Sequence, residues 1–522
     1  MSGGAPLRSP STDFVRAHLG FLFVATCITA WFSYGLFHND EYFQVIEFTR
    51  SKLGEVDLLP WEHGLRMRPW LQPFFYYWLV ARPLAAAGVH DIFVLAFVCR
   101  LLTGLANVGA LALFLRATLP SIPTPEERRL HVRVACLTGF FPYLFVRTSS
   151  ESGSMAALTA AVAILLAGAR PAEAGEAWSV PVQSRHMRLF IVGVLFGIAF
   201  EMRFQTAFVA LGMFAWLRVV GRASLASLGW GGAGGVFVLG MSALVDRWGY
   251  GTWTFPPWTY FQKNLVEGVA TSFGSDPPFA YFWMLPANVF MPLVVALLLL
   301  AVLAWIRCPR HPITWATLPF FVVHNVIAHK EERFLFPIAV LATAFVTMAL
   351  GPSFGPARVG ERLATWAWSR RSAWPGKLLA VWSTAGLLLL MFVPLGWHVT
   401  VRFTRFIHDD IGDEVHAMGL PDVDPHFPAF HPRVYEVELA DPEEIVRRIE
   451  AGTARPWLIT NRPILRTGTS LDDRAIIVFS ELPVFRDREL TEKVMAVVDA
   501  YNASAPAFLR RLRYRTLYRI GP

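Results

Sequence analysis

Long apolar stretches recur along the chain and stop at Trp397, beyond which apolar residues occur only in short runs. Eleven of these stretches approach the length of about 20 residues that a helix needs to cross a bilayer. The pattern predicts an α-helical polytopic membrane protein with about eleven transmembrane helices. The predicted spans are 19–37, 92–115, 132–146, 152–169, 189–203, 206–217, 226–245, 283–306, 313–328, 334–350 and 378–397.

One further apolar segment, 70–87, is rich in aromatic residues and could either span the membrane or lie at its surface. The positions of Lys and Arg decide between these alternatives, because cytoplasmic loops carry an excess of both. If 70–87 does not span and the N-terminus is cytoplasmic, the cytoplasmic loops are net positive and the external loops slightly net negative. We therefore predict a membrane domain at 1–397, in which 38–91 is a first external loop with interfacial helices.

The composition changes after Trp397, and residues 398–522 contain acidic and basic residues in similar numbers. Pro442–Glu450 is typical of a helix with proline near its start, and Ala475–Phe479 is typical of a strand. The pattern predicts a small soluble α/β module, which the odd number of spans places on the external side.

The composition supports a membrane protein, because 54% of the residues are hydrophobic and only 16% are charged. Soluble proteins have about 25% charged residues. This excludes a nucleic-acid-binding protein, despite the net charge of +8. The four cysteines form no metal-ligating pattern, so we expect them to pack in the core and not to form disulfides or bind a metal. No cofactor is expected.

Acidic and basic residues occur together at the predicted external ends of several spans. Ionisable groups at membrane ends are costly unless they are paired or solvated, and they often mark functional sites. Convergence on one face of the membrane predicts a polar site there. The clusters are His38–Glu41, Arg147 with Glu151, Glu201 with Arg203, and His329–Arg333.

Each cluster also has a simpler interpretation. His38–Glu41 directly follows the first span and could be a solvated helix end. Glu201 and Arg203 could form a structural ion pair, which we favour for these two residues, and 329–333 could be a polar turn between spans. Taken together, however, the clusters have a chemical use. An external carboxylate can act as a general base, and nearby cations can stabilise a phosphate leaving group. This set suits glycosyl transfer from a lipid-linked phosphosugar.

Two motifs carry a resemblance to a known family. The run Phe37–Gln44, FHNDEYFQ, resembles the H-P-D-E-x-F-Q signature of glycosyltransferase family 22, and His329–Ile338 matches its H-K-E-x-R-F-x-x-P-I signature. These enzymes are the multispanning mannosyltransferases of GPI-anchor and N-glycan precursor assembly. The matches follow the family's order along the chain.

Weaker matches lie between the two motifs. Trp61-Glu62 with Leu65-Arg66 is similar to the family's W-E…L-R-S segment, and Arg147–Glu151 loosely resembles R-T-x-S-N-S-x-E. Gly274–Pro286 resembles G-x-H-P-W-H-W-Y-F…L-P. The sequence departs from the family at Asn39, which replaces a proline, and at 276–280, where Asp276, Pro278, Phe279 and Ala280 replace His and Trp residues. We therefore expect a different acceptor pocket.

The resemblance implies the GT-C fold and an inverting, metal-independent transfer of mannose from a polyprenyl (dolichyl) phosphate to a glycolipid or glycan. It implies that Asp40 is the general base, that Glu41 supports it, and that Lys330 and Arg333 face the donor phosphate. His329 and Arg203 are further candidates for phosphate contacts. The other expected substrate-binding residues are His38, Trp61, Glu62, Arg66, Arg147, Glu151, Glu331 and Glu332.

Two alternatives stay open at this point. The first is a GT-C enzyme that uses another sugar on polyprenyl phosphate. The second is a multispanning transporter or flippase, although transporters favour midplane charges and internal repeats. Of the 47 basic residues, 42 are arginine and 5 are lysine. This bias favours a bacterial inner membrane with a periplasmic site, whereas the family's usual location is the endoplasmic reticulum. In both cases the predicted active face is opposite the cytoplasm.

Overall fold

The computed structural model describes most of the predicted membrane domain and parts of the C-terminal region. The described residues are 12–55, 59–169, 185–288, 292–351, 373–392, 398–412, 414–421, 430, 434–461, 465, 467–480, 492–493, 495–497, 500 and 515–520.

Helices dominate the described residues as far as Phe406. They are α1 Thr12–Phe32, α2 Glu47–Ser51, α3 Trp61–Gly64, α4 Leu71–Tyr76, α5 Arg82–Ala86, α6 Ile92–Thr118, α7 Pro125–Leu137, α8 Phe141–Phe145, α9 Ser150–Ala167, α10 Arg185–Met202, α11 Ala207–Val219, α12 Leu225–Tyr250, α13 Pro256–Phe261, α14 Tyr281–Asn288, α15 Pro292–Arg307, α16 Pro312–Val326, α17 Ala339–Ala342, α18 Ala344–Leu350, α19 Ala373–Phe392 and α20 His398–Phe406. Helical turns of π type occur at Tyr42–Ile46, Tyr77–Ala81, Gln262–Val266 and Ile407–Ile411, and of 3₁₀ type at Leu119–Ser121, Phe204–Thr206, Val269–Phe273 and Glu332–Ile338.

Four helices in the described residues are long and apolar enough to cross a membrane: Thr12–Phe32, Ile92–Ser121 with its 3₁₀ end, Ser150–Ala167 and Leu225–Tyr250. A fifth candidate is the pair Glu332–Ala342 and Ala344–Leu350, bent by 63°. These five overlap predicted spans. The segment 70–87 is not among them.

One other predicted span is divided into shorter helices. The predicted span 132–146 is divided between α7 and α8, with a break before Pro142, whose ring cannot continue the hydrogen-bond ladder of a preceding helix. Residues 289–291, within the predicted span 283–306, and 393–397, at the end of the last one, lie outside the described residues. The total of eleven spans stays a prediction.

The helices of the bundle cross closely where small residues meet. The helix α10 packs against α9 and α12, and α6 packs against α1 and α9. At the α10–α12 crossing, a Cβ added to Gly193 would lie 1.9 Å from the carbonyl oxygen of Gly231. Only glycine fits there, because small residues let two membrane helices approach at backbone contact.

The segment 38–91, the predicted first external loop, packs against the end of α12 through Trp70. Its backbone N–H donates to Asp246 Oδ1 at 2.7 Å, and its indole is completely buried. A Cβ on Gly249 would lie 2.1 Å from Trp70 Cγ, so the ring packs directly on the helix backbone. This contact fixes the segment that carries Asp40 against the helix bundle.

The C-terminal region contains a five-stranded sheet of order β2-β1-β3-β5-β4. Strand β1 pairs in parallel with β2 and β3, and β5 pairs antiparallel with β3 and β4. The strands are β1 Glu414–Gly419, β2 Val434–Leu439, β3 Trp457–Thr460, β4 Ala475–Ser480 and β5 Thr516–Ile520, and the helices are α21 Pro442–Glu450 and α22 Leu471–Arg474. The predicted helix at Pro442–Glu450 and the predicted strand at Ala475–Phe479 are confirmed. An independent soluble module over 398–522 stays a prediction.

Phe430 of the C-terminal region packs between the start of α6 and the segment that follows Asp40. The ring of Phe430 stacks on Phe93, with centroids 5.1 Å apart, and lies 4.7 Å from the ring of Tyr42. Tyr42 follows Asp40 by two residues. The C-terminal region therefore supports the segment that carries the first motif.

Candidate active site

The two family motifs meet in the folded chain although 293 positions separate them. Asp40 lies just after α1, and its Oδ2 accepts a hydrogen bond of 2.6 Å from Arg333 Nη1. Arg333 lies in the 3₁₀ turn that precedes α17. The Asp40 side chain is 22% exposed, whereas Arg333 is buried. This contact joins two segments that are far apart in the sequence.

A second carboxylate shares Arg333. Glu331 Oε2 accepts from Arg333 Nε at 2.6 Å, and Glu331 Oε1 accepts from Arg333 Nη2 at 3.2 Å. Two imidazoles flank this carboxylate: His329 Nε2 lies 3.1 Å from Oε1, and His38 Nε2 lies 3.5 Å from Oε2. Through Nδ1, which is 3.3 Å from Asp40 Oδ1, His38 also links the two acids.

A third carboxylate extends this group to a second arginine. Glu151 Oε1 lies 3.5 Å from Arg333 Nη1 and 3.1 Å from Arg203 Nη1. Glu151 lies in the first turn of α9, and Arg203 directly follows α10. Asp40, Glu151, Glu331, Arg203 and Arg333 thus form one contiguous group, which we call the acid–arginine cluster.

Glu41 lies outside this cluster although it is adjacent to Asp40. Its Oε1 accepts from the backbone N–H groups of Phe37 at 2.8 Å and His38 at 3.2 Å. Its Oε2 lies 3.7 Å from Arg147, whose other N–H groups donate to the backbone carbonyls of Gly35 and Ser33 at 2.5 and 2.9 Å. Glu41 and Arg147 together fix the loop between α1 and Asp40.

The two adjacent acids have opposite pKa shifts. Burial by itself raises the pKa of Asp40, but the charges of Arg333 and His38 hold this pKa well below its usual value. Burial raises the pKa of Glu41, and Arg147 offsets this only in part. Asp40 is therefore ionised at neutral pH, as a general base must be.

The structure places Lys330 on backbone groups. Its Nζ donates to the carbonyl of Ile327 at 2.6 Å and to that of Asp276 at 3.1 Å, and burial lowers its pKa. These bonds hold the 276–277 loop against the second motif. Glu332 is half-buried at the first position of the 3₁₀ turn, beside the cluster.

The segment 38–91 contributes a separate group of contacts. Glu62 accepts from Gln44 Nε2 at 2.5 Å and from Arg68 Nη2 at 2.7 Å. Trp61 is 50% exposed, and its ring stacks on Phe273 at 6.4 Å. Arg66 is exposed, with a φ of 54°, and no ion pair among the described residues joins it to the acid–arginine cluster.

The expected pairing of Glu201 with Arg203 is wrong, and Arg147 and Glu151, expected in one cluster, have different partners. Arg203 pairs with Glu151 and not with Glu201, which accepts instead from Ser242 Oγ of α12 at 2.6 Å. The reason is that α10 ends at Met202, and the extended backbone of Arg203 turns its side chain away from the helix face that carries Glu201. Arg147 likewise pairs with Glu41 and not with Glu151, because it precedes the first turn of α9.

Two residues near the site were missed by the sequence reasoning. Arg68 holds Glu62, and its charge helps to lower the pKa of Asp40. His324 is buried in α16 and lies beside the ring of Phe334, with centroids 6.4 Å apart. A histidine inside a predicted span is a signal that would have found it, because ionisable residues there are rare and often functional.

The sequence profile of the Alg9-like mannosyltransferase family matches residues 19–417, which include both motifs and the whole acid–arginine cluster. The chain belongs to this family. The predicted resemblance to glycosyltransferase family 22 is therefore confirmed.

Similar proteins match this chain over short segments. It is 31% identical over 121 residues to GPI alpha-1,2-mannosyltransferase 3 of Danio rerio, covering 22% of this chain and 21% of that protein. It is 27% identical over 125 residues to a probable Dol-P-Man:Man(7)GlcNAc(2)-PP-Dol alpha-1,6-mannosyltransferase of Schizosaccharomyces pombe, covering 24% and 22%. The matches thus span about a fifth of the length of these relatives.

Among solved structures, the chain resembles ArnT from Cupriavidus metallidurans bound to undecaprenyl phosphate. The TM-score is 0.52 at 14% identity, and the likeness covers 98% of this chain and 100% of ArnT. At this identity the likeness establishes the fold alone, and it supports the predicted GT-C fold.

Proposed function

We propose that this protein is a membrane mannosyltransferase that uses a polyprenyl (dolichyl) phosphate mannose donor. It transfers mannose to a glycolipid or glycan on the non-cytoplasmic face of its membrane, with inversion at the anomeric carbon. Membership of the Alg9-like mannosyltransferase family supports the sugar. The named donor of the Schizosaccharomyces pombe relative and the undecaprenyl phosphate bound by ArnT support a lipid phosphate carrier.

The observation that carries the proposal is the contact between Asp40 and Arg333. It holds an ionised, partly exposed carboxylate in place with one oxygen, Oδ1, not bonded to the arginine. A carboxylate in this state can accept the proton of a sugar hydroxyl.

In the proposed reaction, Asp40 accepts the proton of the acceptor hydroxyl as its oxygen attacks the anomeric carbon of mannose. The bond from that carbon to the phosphate oxygen breaks, and the phosphate leaves with the electron pair. The developing negative charge needs cationic groups nearby. Since Glu41 is bonded to backbone N–H groups and Arg147, we assign it to loop positioning.

The direct test is transfer of labelled mannose from polyprenyl phosphate mannose to a panel of glycolipid acceptors. We expect Asp40→Asn to lower the rate about a hundredfold or more, because a positioned general base contributes that much. Glu55→Gln, a change to an acid outside the cluster, is the control and should leave the rate unchanged. Wild-type activity in Asp40→Asn would contradict the assignment of the base.

A GT-C enzyme with a different donor sugar is the second candidate, since the departures at 276–280 alter the part of the site expected to bind substrate. The same assay with other polyprenyl-phosphate sugars separates the two. Turnover with another sugar and none with mannose would retain the fold and the base and replace the substrate.

A further inference from the structure

Arg203 has two N–H groups that lack a partner among the described residues. Its side chain is only 4% exposed, and its Nη1 lies 3.1 Å from Glu151 Oε1. Its Nε and Nη2 have no hydrogen-bond acceptor in the described part of the chain. Buried donors are nearly always satisfied, and an unsatisfied charged donor is especially costly. This arginine therefore has room for an acceptor that the described part of the chain does not supply.

The two unsatisfied groups are the ones that bind an oxyanion together. Nε–H and the neighbouring Nη2–H lie on the same edge of a guanidinium and point in nearly parallel directions. That fork matches two oxygens of a phosphate or carboxylate. The ring of Phe334 lies 4.5 Å from Arg203 Cζ, so it covers the face of the guanidinium and leaves the edge open to an acceptor.

The cations of the second motif are more fully occupied. Each nitrogen of the Arg333 guanidinium contacts a carboxylate oxygen of Asp40, Glu151 or Glu331. Lys330 donates to two backbone carbonyls. A phosphate that bound at Arg333 would have to displace one of the carboxylates, whereas a phosphate at the Arg203 fork would displace none.

His324 provides a second unsatisfied atom beside the same aromatic ring. It is 2% exposed, and its Nδ1 bonds the carbonyl of Phe320 at 2.8 Å. A carbonyl only accepts, so Nδ1 carries the proton and Nε2 of the neutral ring is an acceptor. His324 Nε2 has no partner in the described part of the chain. It suits a hydroxyl group.

We infer that the Arg203 fork binds the phosphate of the lipid-linked donor and that His324 Nε2 accepts a hydrogen bond from a hydroxyl of its sugar. This deepens the proposed function and rests on it for the identity of the sugar. It gives Arg333 a different task, which is to hold Asp40 ionised. Glu151 then links the two arginines and fixes the phosphate pocket beside the base.

Direct binding tests the phosphate site without requiring turnover. The full chain in nanodiscs is titrated with polyprenyl phosphate, with polyprenyl phosphate mannose and with inorganic phosphate. We expect both lipids to bind and inorganic phosphate to displace them only at much higher concentration. Inorganic phosphate that binds as tightly as polyprenyl phosphate would overturn the assignment to a lipid carrier.

Arg203→Lys keeps the charge near Glu151 but removes the fork. We expect it to weaken polyprenyl phosphate binding by about tenfold or more, as for the loss of a bidentate charge-assisted contact. Arg307→Lys is the matched control, because Arg307 is also buried but lies on the carbonyls of Ala349 and Gly351. Equal affinity in wild type and in a folded Arg203→Lys would overturn the inference.

His324→Phe tests the sugar contact independently and does not depend on the folding of Arg203→Lys. We expect it to weaken binding of polyprenyl phosphate mannose severalfold and to leave polyprenyl phosphate unaffected. An equal loss with both lipids, or no loss, would contradict the hydroxyl contact.

The outcomes also separate the phosphate site from the proposed function. Arg203-dependent binding without mannosyl transfer would retain the phosphate site and refute the proposed function. Transfer with an unchanged donor KM in Arg203→Lys would refute the site alone.

Discussion

Asp40 and Glu41 are adjacent in the sequence but belong to different parts of the molecule. Asp40 is partly exposed and bonded to an arginine 293 positions away, whereas Glu41 is buried and bonded to backbone N–H groups of its own loop. Neighbouring charges lower the pKa of Asp40, whereas burial raises the pKa of Glu41. The difference shows that a motif can contain a residue suited to chemistry beside one that only holds the loop.

The largest loss of stability should come from disrupting the contact between Glu41 and Arg147. We expect Arg147→Met to reduce stability by about 3–5 kcal/mol, because it leaves the buried Glu41 carboxylate without its counter-charge. The loss should appear as a lower unfolding temperature of the purified protein. Asp40→Asn is the comparison, and it should leave that temperature nearly unchanged. Similar temperatures for Arg147→Met and wild type would remove the distinction between the two acids.

The Asp40 side can be tested by its pH dependence. Arg333 holds the pKa of Asp40 low against burial, so Arg333→Gln should raise this pKa and move the acid limb of kcat/KM to higher pH. Each unit of pKa corresponds to about a tenfold change in the proton-binding equilibrium. A pH–rate profile of the variant beside the wild type measures the shift. An acid limb that stays in place, or moves to lower pH, would mean that another group controls it.

The packing of Trp70 on α12 should have a smaller effect on stability. Gly249→Ala forces a methyl group against Trp70, and overpacking of this kind costs about 1–3 kcal/mol. Gly240→Ala in the same helix is the matched control, since nothing lies within 4 Å of its added Cβ. Thermal unfolding of both variants should show a loss only for Gly249→Ala. A similar loss in both would point to helix propensity instead of the contact.

The smallest effect should come from Trp61, whose ring stacks on Phe273 at the edge of the site. Trp61→Ala should raise the KM for one of the two substrates, the lipid-linked donor or the acceptor, by about threefold to tenfold. This is the range expected from the loss of one aromatic contact. The unfolding temperature should stay the same because half of the side chain is already exposed. A fall in that temperature with no change in KM would indicate a packing role.

The apolar pattern and two short motifs, in the order they have in the family, were enough to predict the family correctly. The runs at Phe37–Gln44 and His329–Ile338 are specific because each combines acids and bases with aromatic residues at fixed spacing. The helix at Pro442–Glu450 and the strand at Ala475–Phe479 were also predicted, since proline near a helix start and a run of β-branched residues are local signals. The assignment of roles within the site stays a set of proposals.

The partners of individual charges could not be predicted. Arg203 was expected to pair with Glu201, two positions away, but it pairs with Glu151 of another helix. Sequence proximity is a poor guide here, because α10 ends at Met202 and the extended backbone of Arg203 turns its side chain away from Glu201. The two N–H groups of Arg203 that lack an acceptor could not be predicted either, because they depend on which distant segments pack around this side chain.

The sequence by itself determined that the chain is a membrane protein and that it carries the two motifs of its family, because apolar span length and local residue order are properties of the chain. The tertiary structure alone decided which carboxylates Arg333 contacts and which acid is buried on backbone groups. It did so because the free energy of a buried charge depends on groups brought within a few ångströms by packing, and those groups come from distant parts of the chain.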